Sequence, residues 1–317
     1  MSDGVWAGLD IGGSKVHGVA LDDEGTVLGQ VRLRSAQGAD GVVATASLAL
    51  ARLRALPAVA DRPLLGVGAG VPGVVDAGHV SHAVNLGLGA DRLALRDGIA
   101  ATAGCPVVVE NDVNAAALGA WHALGTDVSD LAYLSIGTGL AAGVVLGGRL
   151  RRGTRGAAGE IGHVPMDPAG PACPCGQRGC LEVLASGTAI SRRWPVPDGG
   201  NAAFSLFDAA DGGDPEASRI RDEVADHLAA AVRLLVLTLD VELVVLGGGV
   251  ADVGTRLRKA VSAALVRQQQ GAPFLRALDL AARVVLPAGG RPLGAVGAAL
   301  AGRAWTHDDV VAAPIGS

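Results

Sequence analysis

Four side chains that bind zinc well lie in one short segment of the sequence. Cys173, Cys175 and Cys180 can supply three thiolates. His163 adds an imidazole, so the segment offers a Cys₃His set, a common ligand set of tetrahedral zinc sites. A disulfide between Cys173 and Cys175 would be strained, because only Pro174 separates them. We therefore predict a zinc-binding loop in preference to a group of unrelated loop cysteines.

The same segment carries two glutamates, Glu160 and Glu182, which a Cys₃His zinc site does not need. Carboxylates accept hydrogen bonds from hydroxyl groups, and a metal-bound loop would hold them in fixed positions. The pair therefore indicates a ligand rich in hydroxyl groups, such as a sugar.

A glycine-rich turn follows the first predicted strand, in the sequence from Asp10 to Lys15. Adjacent glycines, here Gly12 and Gly13, let backbone N–H groups approach a phosphate closely, and Ser14 adds a hydroxyl donor. Asp10 could hold Mg²⁺ between phosphate oxygens, directly or through water. Taken alone, this motif fits a plain tight turn equally well.

A second turn of the same kind strengthens the phosphate interpretation. Gly137, Thr138 and Gly139 end a predicted strand in the second half of the chain, at a place equivalent to the first turn. Two such turns are unlikely to arise by chance. Gly247, Gly248 and Gly249 follow another apolar strand and suit a flat, closely packed ligand such as a nucleoside, although this signal has low specificity.

A third polar group closes the apolar strand that begins at Val107. Asn111 and Asp112 follow that strand directly, where α/β proteins bind ligands. Asp112 could accept the proton of a substrate hydroxyl that attacks a phosphoryl group, and Asn111 could hydrogen-bond a neighbouring hydroxyl. Alternatively, Asp112 is the N-cap of the following helix, and the two roles are compatible.

The elements that must position these groups alternate between strands and helices. Both halves of the chain begin with a glycine-linked β-hairpin, near residues 5 and 131, which indicates duplicated lobes and argues against a dinucleotide-binding fold. The segment 71–80 is predicted to be a loop. Strands are predicted within 5–34 and at 64–70, 106–112, 131–139, 141–150, 241–251 and 282–288, and helices at 42–56, 92–103, 113–123, 216–239, 253–268 and 292–303.

Composition narrows the class of protein. The 317 residues suffice for two lobes, and a net charge of −5 without a Lys/Arg block argues against nucleic-acid binding. Charged residues such as Arg233 interrupt the longest apolar stretch, so we expect no membrane span. The amino terminus lacks the pattern of a secretory signal, and three of the four cysteines are grouped. We therefore expect a cytoplasmic protein with a metal site, and Cys105 as a small buried residue.

Together these motifs resemble the ROK family of sugar kinases, which has the actin-like ATPase superfold. The segments LDIGGSK, VENDVNAAALG and GEIGH followed by CPCGQRGCLE carry the resemblance, which spans nearly the whole chain. It implies an α/β, two-lobed actin-like ATPase (ribonuclease H-like) fold with a zinc-binding loop. The implied domains are an N-terminal lobe at 1–118, a C-terminal lobe at 119–290 and a C-terminal helix at 291–317 that returns to the first lobe.

The resemblance also implies a role for each matching residue, with Asp112 as the catalytic base. The residues implied to contact the sugar are Gly73, Asn85, Asn111, Asp112, Glu160, His163 and Glu182. Those implied to bind ATP phosphates and Mg²⁺ are Asp10, Gly12, Gly13, Ser14, Lys15, Gly137, Thr138 and Gly139, with Gly247, Gly248 and Gly249 beside the adenosine. The implied ligands of Zn²⁺ are His163, Cys173, Cys175 and Cys180.

The implied activity is ATP-dependent phosphorylation of a hexose, with glucose to glucose 6-phosphate as the first expectation. Kinases of N-acetylglucosamine, N-acetylmannosamine, mannose or fructose are alternatives, and polyphosphate could replace ATP as donor. Leu88 and Leu181 stand where the family often has aromatic residues, which weakens a narrow prediction of the substrate. A sugar-sensing repressor is less expected, because no DNA-binding element is found ahead of Asp10. The family resemblance suggests a homodimer or homotetramer.

Overall fold

The chain folds into strands and helices built around two five-stranded sheets, which confirms the predicted α/β class. The computed structural model describes residues 4–125, 127–287 and 289–308. The strands are β1 Val5–Ile11, β2 Lys15–Leu21, β3 Val27–Arg34, β4 Leu64–Val71, β5 Val74–Asp76, β6 His79–Ser81, β7 Val107–Asn111, β8 Leu131–Ile136, β9 Leu140–Leu146, β10 Arg149–Leu150, β11 Leu243–Gly247 and β12 Val284–Val285. The helices are α1 Gly38–Arg54, α2 Leu95–Ala103, α3 Asp112–Leu124, α4 Leu181–Ala185, α5 Gly187–Arg193, α6 Ala202–Asp211, α7 Pro215–Leu239, α8 Thr255–Gln268, α9 Pro273–Ala277 and α10 Leu293–Asp308.

The chain divides into two compact units, each with its own hydrophobic core. The first unit contains residues 1–124, 154–156 and 290–317, and the second contains residues 125–153 and 157–289. The last residues of the first unit, 309–317, lie outside the described part of the chain, as does that part of the predicted C-terminal segment.

The first sheet has the strand order β3-β2-β1-β4-β7. Strands β1 and β2 form an antiparallel hairpin, whereas β1, β4 and β7 run parallel. In this register Asp10 lies opposite Gly70, and Gly70 lies opposite Glu110. The carboxyl ends of the three parallel strands therefore lie at the same end of the sheet, which places Asp10 and Asn111 at that end.

The second sheet repeats this arrangement in the order β10-β9-β8-β11-β12. It too begins with an antiparallel hairpin, β8 and β9, and continues with parallel strands β11 and β12. Ser135 lies opposite Gly247, so the glycine turns that follow β8 and β11 leave the sheet at the same edge. The predicted duplication of the hairpin starts is confirmed.

Helix α10 packs on the first sheet at unusually short range. A Cβ atom at Gly8 or Gly68 would overlap the carbonyl oxygen of Ala295 or Ala298, respectively. The helix also packs against α3, β1 and β4. Glycines in the strands are therefore required here so that a helix backbone can approach the sheet.

The structure corrects the sequence prediction in several elements. The prediction of a loop at 71–80 is wrong, because β5 and β6 pair there as an antiparallel hairpin. Ala77 and Gly78 form its turn with φ values of 48° and 82°, the left-handed pair of a tight hairpin. The strand predicted at 282–288 shrinks to β12. The short helices α4, α5, α6 and α9 were not predicted, although Asn201 caps α6 by accepting hydrogen bonds from two backbone N–H groups.

No helix in the described ranges has both the length and the apolar character that crossing a membrane requires.

Candidate functional site

The junction between β7 and α3 is held by the side chain of Asn111. Its Oδ1 atom accepts hydrogen bonds from the N–H groups of Val113 at 2.9 Å and Asn114 at 3.2 Å. Asn111 thus caps the helix that begins at Asp112. The alternative that Asp112 serves as the N-cap is therefore not required, and its carboxylate lies in the first turn, where the helix dipole favours negative charge.

Glu110 locks the same junction from inside the protein. Its side chain is buried, and Oε1 accepts hydrogen bonds from the N–H of Asn111 and from Nδ2 of Asn114, both at 3.0 Å. No role for Glu110 was predicted from the sequence. A carboxylate at the inner end of an apolar strand was the available signal, because such a group must find partners when it is buried.

Two other residues implied to contact sugar lie in the first unit. The carbonyl oxygen of Gly73 accepts a hydrogen bond from Nδ2 of Asn111 at 3.4 Å. Gly73 has a φ of 96°, and a Cβ there would lie 2.5 Å from the carbonyl oxygen of Ser81. Asn85 lies in a short 3₁₀ helix, Val84–Leu86, directly against Gly13. The first unit therefore brings Gly73 to Asn111 and Asn85 to the first glycine turn.

The first glycine turn is held through the carbonyl groups of its backbone. The carbonyl oxygens of Gly12, Gly13 and Ser14 all accept hydrogen bonds from the connection between β3 and α1. Within the described chain, the N–H groups of Gly13 and Ser14 have no hydrogen-bond partner. Two consecutive N–H groups without partners fit the oxygens of a phosphate.

Asp10 carries a perturbed carboxyl group beside this turn. Its pKa is raised to about 6, chiefly by burial and also by the charge of Asp112, while the charge of Lys15 opposes the shift. Gly294 lies directly against this carboxyl group, since a Cβ there would lie 2.8 Å from Cγ and Oδ2 of Asp10. Two carboxylates that repel each other fit a divalent cation such as Mg²⁺, because its charge would offset both the repulsion and the loss of hydration.

The second glycine turn resembles the first in that, among the described residues, it also leaves two consecutive N–H groups without a partner. The N–H of Gly137 donates to the carbonyl of Gly139 at 3.0 Å, and the carbonyl of Gly137 accepts from Gly187 at 2.7 Å. The N–H groups of Thr138 and Gly139 have no partner among the described residues. This turn also touches Glu182, whose Oε2 accepts a hydrogen bond from the N–H of Leu140 at 3.1 Å.

The turn after β11 packs against the end of β8. Gly248 has a φ of 80°, and a Cβ there would lie 2.6 Å from the backbone of Ile136. Its N–H donates to the hydroxyl of Tyr133 at 3.3 Å. Gly249 is open, with no atom within 4 Å of an added Cβ, so a flat ligand could lie against its backbone.

The cysteine loop brings its four candidate zinc ligands together. One ligand atom from each of His163, Cys173, Cys175 and Cys180 lies within 4.8 Å of the other three. The Sγ atoms of Cys175 and Cys180 are 3.7 Å apart, and Sγ of Cys173 is 3.8 Å from Nδ1 of His163. Zn–S bonds of ~2.3 Å in a tetrahedron place two sulfur atoms about 3.8 Å apart. These residues therefore fit a zinc ion.

The thiols of this loop differ in acidity. Hydrogen bonds from the backbone and side chain of Gln177 lower the pKa of Cys175 to about 6. Burial raises the pKa of Cys180 to about 12. Without a cation, the fully buried Cys180 would thus keep its proton, whereas a bound metal favours the thiolate.

His163 connects the cysteine cluster to Glu160. Its Nδ1 atom faces Cys173, and its Nε2 atom lies 4.0 Å from Oε2 of Glu160. The side chains of His163 and Glu160 are 40% and 55% exposed, so both can reach a ligand. The second unit therefore places Glu160, His163 and the zinc ligands in one group, and Glu182 beside the second glycine turn.

Two histidines outside the cysteine loop make hydrogen bonds within the first unit. His17 is buried and hydrogen-bonded to Gln30 at 3.0 Å, and burial lowers its pKa. His122 binds the carbonyl of Gly25 at 3.2 Å. Cys105 was predicted to be a small buried residue; it is half-buried and packs against the core of the first unit from the connection that follows α2.

Known proteins resemble this chain along most of its length. A family model described as ROK family matches residues 6–303. A glucokinase of Halalkalibacterium halodurans is 33% identical over 300 residues, which cover 86% of this chain and 90% of that protein. An N-acetylmannosamine kinase of Yersinia pseudotuberculosis is 33% identical over 260 residues, which cover 80% of this chain and 86% of that protein.

A solved structure extends the similarity to the fold. The crystal structure of a ROK family glucokinase from Streptomyces griseus, in complex with glucose and AMPPNP, matches with a TM-score of 0.75 and 30% identity. The match covers 95% of this chain and all of that one. The two related sheets described above are those of the actin-like ATPase fold. Because the family model matches nearly the whole chain, the chain belongs to the ROK family.

Proposed function

We propose that this protein transfers the γ-phosphoryl group of ATP to a hydroxyl group of a hexose, with glucose as the first candidate and glucose 6-phosphate as the product. The observation that carries the proposal is the position of Asp112. Its carboxylate stands at the start of a helix that Asn111 caps, close enough to Asp10 to raise the pKa of that residue.

The class of enzyme rests on the relatives. Two curated kinases match at 33% identity, and the matching glucokinase structure holds the ATP analogue AMPPNP together with glucose. The chain is an ATP-dependent sugar kinase. The finer assignment of the sugar, and of each residue, is the proposal.

In the proposed reaction, Asp112 accepts the proton of the sugar hydroxyl as that oxygen attacks the γ-phosphorus of ATP, and ADP leaves. Phosphoryl transfer needs positioning and charge stabilisation more than covalent help, so one base and well-placed donors suffice. Glu110 and Asn114 fix the junction that carries Asp112. The second N–H of the Asn111 amide would donate a hydrogen bond to a sugar hydroxyl. Gly73 and Asn85 would contact the sugar as well.

The two glycine turns are proposed to bind the phosphates of ATP through their N–H groups. The first turn would use Gly13 and Ser14, with Lys15 nearby, and the second would use Thr138 and Gly139. Asp10 would hold Mg²⁺, which supplies positive charge to the phosphates when bound. The open backbone at Gly249 would lie beside the adenosine, with Gly247 and Gly248 completing that turn.

Zinc is proposed to act on structure and not on the phosphoryl group. His163 and the three cysteines would hold it, and it would fix the loop that carries Glu160 and His163. The carboxylates of Glu160 and Glu182 would then accept hydrogen bonds from sugar hydroxyls, and His163 would hydrogen-bond a sugar hydroxyl through its ring. A site built in this way rejects an analogue that lacks the hydroxyl by roughly 10⁴-fold, because its own polar groups are left unpaired.

N-acetylmannosamine is the alternative substrate, because an N-acetylmannosamine kinase matches at the same identity as the glucokinase. A screen that couples ADP release to NADH oxidation separates the two. It compares glucose, mannose, fructose, N-acetylglucosamine and N-acetylmannosamine, each with ATP. A direct measurement of sugar phosphate compares ATP with polyphosphate, because transfer from polyphosphate releases no ADP. We expect the highest kcat/KM for glucose with ATP. If no sugar raised the rate of ADP release above the rate without sugar, the proposal would be contradicted.

The assembly is a prediction from the family resemblance, and the location is a prediction from the amino terminus and the cysteines of the sequence. We propose a homodimer or homotetramer in the cytoplasm, and lobes bounded near residues 118 and 290. Light scattering on the purified protein gives the mass of the assembly directly.

A further inference from the structure

The connection between β3 and α1 holds the first glycine turn through three consecutive carbonyl groups. The hydroxyl of Ser35 donates to the carbonyl of Gly12 at 2.5 Å, and the N–H of Ser35 donates to that of Ser14 at 3.1 Å. Between them, Nε2 of Gln37 donates to the carbonyl of Gly13 at 2.9 Å. With these carbonyls bound, the N–H groups of Gly13 and Ser14 are left for an anion.

Gln37 is an unusual residue for its position in the chain. It is the N-cap of α1, where Ser, Thr, Asp and Asn are preferred because they bond to the first N–H groups of the helix. The side chain of Gln37 makes no such bond. It is exposed, and its amide is bonded to Gly13 instead. The side chain therefore serves the glycine turn and not its own helix.

The same amide group also lies against the segment that carries Asn85. A Cβ at Gly87, which ends the 3₁₀ helix of Asn85, would lie 3.5 Å from Oε1 of Gln37. Gly13 in turn packs so closely on this helix that a Cβ would lie 2.6 Å from the carbonyl oxygen of Asn85. Gln37, Gly13 and Asn85 thus form one continuous contact within the first unit.

We propose that Gln37 is a positioning residue that couples occupation of the sugar site to the arrangement of the first phosphate turn. The inference rests on the proposed function, in which Asn85 contacts the sugar and Gly13 contacts ATP. A sugar bound at Asn85 orders the 3₁₀ helix on which Gly13 rests. The bond from Gln37 then keeps the N–H groups of Gly13 and Ser14 in the arrangement that receives a phosphate. The coupling is reciprocal, because each ligand must change the affinity of the other by the same factor.

Calorimetric titration with AMPPNP measures this coupling. The titration is run without sugar and then with a saturating concentration of the sugar that turns over fastest in the screen above. In the parent protein we expect the sugar to tighten AMPPNP binding by on the order of tenfold. The coupling ratio is the Kd for AMPPNP without sugar divided by the Kd with sugar. In Gln37→Met, which keeps the length of the side chain but loses its donor, this ratio should fall towards one. The Kd for the sugar, measured without nucleotide, should not change, whereas KM for ATP should rise.

Two further variants make the test specific. Gln37→Glu has the same length but cannot donate to a carbonyl, so it should lose the coupling as well. Gln270→Met is the matched control, because Gln270 is an exposed glutamine of the second unit, and it should keep the parent ratio.

The outcomes separate this inference from the proposed function. Suppose that the parent phosphorylates a sugar and that both Gln37 variants keep its ratio, with or without a uniform loss of affinity for both ligands. The inference about Gln37 is then overturned, while the proposed function stands. A parent ratio of one overturns it as well. A parent that phosphorylates none of the sugars overturns the proposed function and this inference together. Loss of the ratio in both Gln37 variants, with Gln270→Met unchanged, supports it.

Discussion

Oε2 of Glu182 accepts a hydrogen bond from the backbone N–H of Leu140 at 3.1 Å, which fixes this carboxylate at the edge of the second glycine turn. The contact is close, since a Cβ at Gly139 would lie 2.5 Å from the same oxygen. Gly13 and Asn85 form a similar contact in the first unit. In each unit, therefore, a residue proposed to contact sugar lies directly against a turn proposed to bind phosphate.

The two oxygens of Glu182 should have separable functions. Glu182→Gln retains an acceptor for Leu140, so we expect unchanged stability but a rise of roughly tenfold to a hundredfold in KM for the sugar, from loss of a charged hydrogen bond. Glu182→Ala also leaves the N–H of Leu140 without its partner and should destabilise the fold by about 1–3 kcal/mol. Urea unfolding and sugar kinetics check the pair. Equal stability losses in both variants would contradict this division.

Gly294 should be needed for the position of Asp10. Alanine normally stabilises a helix relative to glycine by about 0.5–1 kcal/mol, yet a Cβ at Gly294 would lie 2.8 Å from the carboxyl group of Asp10. We expect Gly294→Ala to lower kcat by on the order of a hundredfold through displacement of Asp10. Gly289→Ala is the control, because no atom lies within 4 Å of its added Cβ. Steady-state kinetics of the two variants decide the matter, and equal kcat values would refute the expectation.

The charge of Asp10 should lower stability at neutral pH. Its pKa is raised from 3.8 to about 6 in the fold, so the folded state binds the proton more tightly than the unfolded state does. Stability from this group is present below pH 3.8 and is lost as the pH rises through about 6. Asp10→Asn should therefore be more stable than the parent by about 2–3 kcal/mol at pH 8, and by nothing at low pH, although it loses activity. Urea unfolding across this pH range without added magnesium tests it. A difference that is independent of pH would be evidence against the assignment.

The cysteine loop should carry about one zinc ion per chain. Cys180→Ser removes a fully buried candidate ligand, and we expect loss of zinc, a lower melting temperature and a higher KM for the sugar, since His163 shares the loop. Cys105→Ser, which alters a cysteine outside the cluster, should keep the metal. Elemental analysis of the purified proteins measures the zinc content. Absence of zinc from the freshly purified parent would remove the zinc proposal.

The sequence sufficed where chemistry is local. The Cys₃His set could be predicted because its three cysteines are neighbours in the chain, and the structure brings the four ligand atoms within 4.8 Å. The two glycine turns could be predicted because each follows an apolar strand, and both present N–H groups without partners in the part of the chain that the structure describes.

The sequence failed where partners are distant or equivalent. Nothing near Gln37 indicates its bond to Gly13, because the two residues lie on separate elements. Asn111 and Asp112 are adjacent and can both cap a helix, so only the structure shows that Asn111 does. The buried Glu110 was overlooked for the same reason: its partner Asn114 comes within reach only when the helix forms.

The central claim, that Asp112 is the base of a sugar kinase, is tested most directly by Asp112→Asn. Asparagine keeps the oxygen that contacts the N–H of Val113, so the fold and sugar binding should be retained. Calorimetry gives the affinity for the sugar, and ADP release gives kcat. We expect the parent affinity with kcat lowered by about 10²–10⁴-fold. A variant that turns over at close to the parent rate would contradict the account.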